Sequence, residues 1–105
     1  MSETVYTKMH ERHGSQVLAF ADPDLIGCEL SNGQIKFHVS AHFYAGTLVS
    51  REEALDLLRN FPNTNLLGSL VLSAVEEGII AEEAILWLED KERGLRVPHA
   101  VIIHV

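Results

Sequence analysis

At 105 residues and 47% hydrophobic content, the chain fits one domain able to bury roughly two-thirds of its unfolded surface without disulfides or a metal. Its formal charge of −7 argues against a broad phosphate-binding surface, which needs clustered Lys and Arg, but not against a small local basic site. Cys28 is the single cysteine, so no intramolecular disulfide can form, and a reducing, cytoplasmic setting is expected.

No basic-then-apolar leader is present, and no apolar run approaches the ~20 residues of a membrane span, so no membrane partner is expected. Thr4 to His10 alternates polar and apolar, Gln16 to Ala21 is apolar throughout, and His13-Gly14-Ser15 lies between them. This pattern predicts a β-hairpin. Asp22-Pro23-Asp24 ends its second strand, because Pro lacks an amide donor and Asp bonds its own backbone in turns.

Asn32-Gly33 is the dipeptide preferred in two-residue type I′ turns and predicts a second hairpin. Centred there, the register sets Leu30 against Ile35, Cys28 against Phe37 and Ile26 against Val39, with Glu29 facing Lys36 on the opposite side. Ser40 to Val49 is less regular and contains Phe43-Tyr44 and Gly46. One of the two aromatics is expected to pack on the helices.

Ser50-Arg51-Glu52-Glu53 is a capping box, which opens a helix presenting Ala54, Leu55, Leu57, Leu58 and Phe61 on one side and ending before Pro62. Thr64 to Gly78 places Leu66, Leu67, Leu70, Val71, Ala74 and Val75 on one half-cylinder at 100° per residue. It reads as a central core helix capped by Asn63 or Thr64 and ended at Gly78, forming a helical pair with its predecessor. Ala84 to Trp87 fits either a helix continued from the acidic start Glu82-Glu83 or a short strand, and the strand is favoured because a partner, Ala100 to Val105, follows; Asp90 to Arg96 reads as a solvated loop. With no internal repeat or linker, residues 1–105 form a single α+β domain. Its small antiparallel or mixed sheet, built from two N-terminal hairpins and C-terminal strands, is covered by two helices.

The chemically capable residues mostly have structural readings. His10 and His13 are three apart on a strand end, not four apart on a helix as paired zinc ligands require. His38 and His42 would lie about 13 Å apart along a strand, too far to share an ion. Cys28, on an apolar hairpin face, is expected to be a buried inert thiol. No nucleophile elbow, phosphate-binding loop or dinucleotide fingerprint occurs, and the paired glutamates are most simply solvent-facing. No metal or cofactor is expected. Pro98 holds Val97 extended and fixes His99 as the last strand begins.

Leu25-Ile26-Gly27, Phe43-Tyr44-Ala45-Gly46, Glu52-Glu53-Ala54, Asn65-Leu66-Leu67-Gly68, Glu77-Gly78-Ile79-Ile80 and Val97-Pro98-His99-Ala100 recur in this order and spacing in a known group. Over nearly its whole length the chain resembles the archaeal family catalogued as domain of unknown function 424. It differs from that pattern at Ala45, where glycine is usual, and in a longer Leu88 to Arg96 segment. The resemblance implies a cytoplasmic archaeal protein and supplies no activity. The family's recurring residues fall on Phe43, Tyr44, Gly46, Asn65, Gly68, Pro98 and His99, which form the candidate binding set. Read at the start of the central helix, Asn65 and Gly68 would meet free amides and the positive dipole end, which favour an anion.

With no catalytic constellation and an acidic surface, a non-enzymatic protein-interaction module or adaptor is expected. The alternative is a translation- or RNA-associated factor using a small anion site at the central helix start. A third possibility is a small-molecule or hydrolytic site built from His99, Asn65 and Tyr44. Convergence of Phe43, Tyr44, Asn65 and His99 on one exposed concave patch would mark a site, and their scatter through the core would mark a folding role.

Overall fold

The computed structural model describes residues 3–103. Among these, eight strands form one mixed sheet in the order β4-β3-β7-β8-β6-β2-β1-β5. The strands are β1 (Thr4–Arg12), β2 (Ser15–Ala21), β3 (Glu29–Asn32), β4 (Ile35–His38), β5 (Thr47–Ser50), β6 (Asn63–Leu67), β7 (Leu86–Asp90) and β8 (Leu95–Ile103). The helices are α1 (Ala41–Tyr44), α2 (Arg51–Asn60) and α3 (Ser69–Glu76). The fold is α+β as expected, with a larger sheet than two hairpins and the C-terminal strands would make. β8 is observed to Ile103, and His104 and Val105 lie outside the described residues. Among the described residues no helix is long and apolar enough to cross a membrane.

The first hairpin closes through His13 and Gly14, with φ of 51° and 79°, between the paired Arg12 and Ser15. Positive φ at both central residues makes this the type I′ turn. In the second hairpin the pairs are Asn32–Ile35, Leu30–Phe37 and Glu29–His38, so Gly33-Gln34 forms the loop. Here φ is positive only at Gly33. Glycine at the first central position suits a type II′ turn, which displaces the Asn32-Gly33 arrangement and shifts the expected pairs. A two-residue shift preserves side-chain parity, so Leu30 and Phe37 still share a face. Glu29 meets His38 at 3.5 Å rather than Lys36.

The capping box forms as expected at its hydroxyl: Ser50 Oγ accepts from the Glu53 amide at 3.1 Å. α3 ends at Gly78 in a Schellman arrangement, with the Ile79 amide donating to Ala74 O at 2.8 Å and the Gly78 amide donating to Val75 O at 3.0 Å. Asp22-Pro23-Asp24 breaks β2 with a 3₁₀ turn over Pro23–Leu25. The segment expected to be a strand over Ala84 to Trp87 is one from Leu86, paired antiparallel with β8. Asp90 is not in a solvated loop: it ends β7, is 3% exposed, and accepts from Arg93 Nε at 2.7 Å.

The expected central helix is the largest correction. Asn63–Leu67 is a strand, parallel to β2 and antiparallel to β8, and only Ser69–Glu76 is helical. Leu66 and Leu67 point to opposite faces of the sheet and are both fully buried. A central strand covered on both sides is apolar without alternation, and over a short run this cannot be told from a buried helix. Neither Asn63 nor Thr64 caps α3, and a strand separates α2 from α3.

α2 and α3 cover the back face. Ala54, Leu58, Leu70, Val71 and Ala74 pack there on Val5, Leu18, Phe20, Leu66 and Ala100. The front face carries Ala19, Ala21, Leu67, Leu88 and Val97, covered by Leu25, Val39 and Tyr44. Tyr44 and Phe43 both pack on this front face, opposite α2 and α3, so neither aromatic packs on the two long helices as expected.

Candidate functional site

Facing pairs share a face of the sheet, so the register lays out the front surface. One row runs Leu86–His99–Leu67 across β7, β8 and β6, and the next runs Val101–Asn65–Ala19 across β8, β6 and β2. β4 and β8 are three strand spacings apart, about 14 Å in a flat sheet. Yet the rings of Phe37 and His99 approach to 5.6 Å. The sheet therefore curls, making its front face concave and bringing the β3–β4 hairpin over β8.

α1 is set into the mouth of this concavity. Ser40 Oγ accepts from the Phe43 amide at 3.3 Å and starts the turn. His10 on β1 donates from Nε2 to Phe43 O at 2.7 Å and stacks on the Phe43 ring at 4.3 Å. Phe43 in turn meets Tyr44 edge-on at 4.8 Å. Tyr44 donates its hydroxyl proton to Asn65 Oδ1 at 2.7 Å, and His99 Nε2 lies 3.2 Å from the same oxygen.

Because that amide oxygen only accepts, His99 donates from Nε2 and keeps its lone pair on Nδ1. Burial pushes the Tyr44 phenol well above its ordinary range and the His99 imidazole below its ordinary 6.5. Both therefore stay neutral donors at pH 7. Asn65 Oδ1 is occupied twice, and among the described residues nothing accepts from its Nδ2 amide. Asn65 lines a hollow of about 230 Å³ together with Phe37, His38, Ser40, Phe43 and Tyr44.

Since folded His99 takes up a proton less readily than unfolded His99, the unfolded state binds more protons between the two pKa values. Its contribution to stability is complete above about pH 6.5 and is lost as pH falls through the folded value. His99→Gln keeps a donor near the Nε2 position and does not titrate. Between about pH 7.5 and about pH 5 the urea midpoint of the wild type should fall further than that of His99→Gln. Parallel curves would contradict the assignment.

Of the seven residues in the candidate set, Phe43, Tyr44, Asn65 and His99 converge here. Gly68 and Pro98 lie together elsewhere, lining a second hollow with Asp22, Asp24, Leu72 and Leu95. The Gly68 amide donates to Pro98 O at 2.9 Å. A strand residue's carbonyl and nitrogen point to the same side, so the amide Pro98 lacks would face Gly68, where β6 has already ended. Proline thus sits within β8, not at its start, without removing a ladder bond. Gly46 lies against β1.

The expected anion site does not form as read. Asn65 is in β6 and not in the first turn of a helix, and α3 begins four residues later. The Asp22 carboxylate already occupies that helix end, accepting from the Ser69 amide and from Ser69 Oγ, each at 2.7 Å. Cys28 also differs from expectation: it is half-buried, and Arg93 Nη2 lies 2.8 Å from its sulfur. Among the described residues no group of three or more His, Cys, Asp or Glu could hold a metal ion.

Sequence reasoning missed Phe37, His38 and Ser40 as lining residues and His10 as the clamp on Phe43. The one local signal was Ser40 three residues before Phe43, the spacing of an N-cap oxygen and the amide that donates to it. His10 and Phe37 reach the site only through strand order and sheet curl.

Comparison with curated proteins finds no match. Among solved structures, the chain is similar to an uncharacterized conserved protein from the archaeon Methanopyrus kandleri. The two are 27% identical, the alignment covers 97% of this chain and 95% of that one, and the TM-score is 0.71. The model of the family described as Protein of unknown function (DUF424) matches residues 10–105, and the chain belongs to that family.

Proposed function

We propose that the protein is a cytoplasmic, non-enzymatic interaction module that seats a segment of a partner protein on its concave front face. The observation that carries this reading is the Asn65 Nδ2 amide, unpartnered among the described residues, in a hollow walled by Phe37, Phe43 and Tyr44. A few polar groups placed in a mostly apolar hollow orient a bound group. The Tyr44 and His99 protons are committed to Asn65, so the group left facing outward suits recognition more than proton transfer. Exposed Leu86 and Val101 flank His99 and Asn65 in the rows of the sheet, with Ile103 further along β8. They supply an apolar rim of the kind that surrounds anchor pockets at protein interfaces. The net charge of −7 favours a protein partner over a phosphate backbone.

Selection of a phage-displayed peptide library on the intact protein tests this. Peptides sharing a motif should be recovered, and Val101→Lys, at an exposed rim position, should weaken them about tenfold or more. Selected peptides that bind Val101→Lys as well as wild type would contradict it. So would an empty selection accompanied by salt-sensitive RNA binding.

A further inference from the structure

The chemistry of the hollow identifies the group it accepts. We propose that its occupant is a phenol ring, the side chain of a tyrosine in the docked segment. This inference rests on the front face being a protein-docking surface. The hollow measures about 230 Å³; an apolar cavity of about 150 Å³ holds a benzene molecule, so one ring with a small substituent fits here. Phe37, Phe43 and Tyr44 line it and offer the edges and faces that aromatic rings pack against.

Besides His38, whose imidazole can donate or accept and whose Nδ1 lies 3.5 Å from Glu29, two polar groups of the lining have hydrogens to offer. Asn65 Nδ2 has hydrogens to donate and, among the described residues, no acceptor. Ser40 Oγ accepts from the Phe43 amide, which leaves its own hydrogen to donate. Two donors in an aromatic pocket call for one ring bearing an acceptor oxygen. A phenylalanine side chain would leave the amide buried and unpaired, a loss comparable to a hydrogen bond. A pyrimidine base would fit by size and could accept through its carbonyl oxygens, but the phosphate chain that carries it would approach a protein of charge −7.

Titration of the ¹⁵N-labelled full chain with N-acetyl-tyrosinamide, N-acetyl-phenylalaninamide and uridine tests the proposal. The tyrosine probe should bind saturably and about tenfold tighter than the phenylalanine probe. It alone should move the Asn65 side-chain amide protons downfield. In Asn65→Ala the preference should fall to about parity; should that variant fail to fold, the wild-type ratio and the amide signature still decide. Equal affinity for the two amides, or no saturable tyrosine binding, would overturn the phenol anchor. Peptide selection would then still report separately on the docking face. Tighter binding of uridine than of either amide would overturn both.

Discussion

Replacing Gly68 with alanine should lower stability by about 4 kcal/mol, and the thermal midpoint by about 20 °C. Two costs combine. Gly68 has φ of 103° and ψ of −149°, a region reserved almost wholly for glycine. A Cβ there would also stand 2.4 Å from Asp22 Oδ2 and 2.9 Å from Leu25 Cδ1. The carboxylate it would strike is the one that accepts from Ser69 at the start of α3. The substitution therefore strains the backbone and loosens the helix end together. Gly94 separates these effects: its φ is also positive, at 65°, but nothing lies within 4 Å of its added Cβ. Gly94→Ala should cost only about 1 kcal/mol, the backbone penalty alone. Equal midpoints for the two variants by circular dichroism would contradict the role given to the Gly68–Asp22 contact.

Gly46→Ala carries the second large effect, by close approach without an unusual φ. Its Cβ would lie 2.3 Å from Thr7 O and 2.9 Å from Lys8 Cβ, and neither a paired backbone carbonyl nor a Cβ can swing aside as a flexible side-chain end can. A cost of about 3 kcal/mol is expected from overpacking against a fixed strand. The damage should centre on α1, because the chain turns directly from Tyr44 into Gly46, whose amide donates to Tyr44 O at 2.9 Å. Loss of the Tyr44–Asn65 bond should accompany it, visible as earlier ionisation of the Tyr44 phenol in an ultraviolet pH titration. An unchanged titration and midpoint would show that β1 can yield.

These two glycines show what local pattern reveals and what it hides. The Ser50 box, the glycine end of α3 and the first hairpin were legible because each is decided by residues a few positions apart. Thr64 to Leu67 was not: a strand buried on both faces loses the alternation that would identify it, and helical periodicity then fits its leucines equally well. In the second hairpin the sequence allowed two glycine-containing turns one residue apart, and the side-chain faces came out alike under either.

At the site, the family resemblance points to Tyr44, Asn65 and His99 but not to their chemistry. The helical reading of Thr64 to Leu67 puts Asn65 at a helix start and implies an anion site there; as a residue of β6 it has neither. Asp22 could not be found as the group at the α3 terminus, since 47 residues separate it from Ser69. Phe37 and His10 meet α1 and β8 only after the sheet curls, a property of eight paired strands together. The burial that holds Tyr44 and His99 neutral is likewise a product of packing.

Hydrogen–deuterium exchange with and without a library-selected peptide tests most directly whether the concave front face is where a partner docks. Slowed exchange confined to α1, the start of β6 and the Val101–Ile103 end of β8, with α2 and α3 unchanged, is the predicted result. Protection of α2 and α3 with the front face unaltered would contradict it.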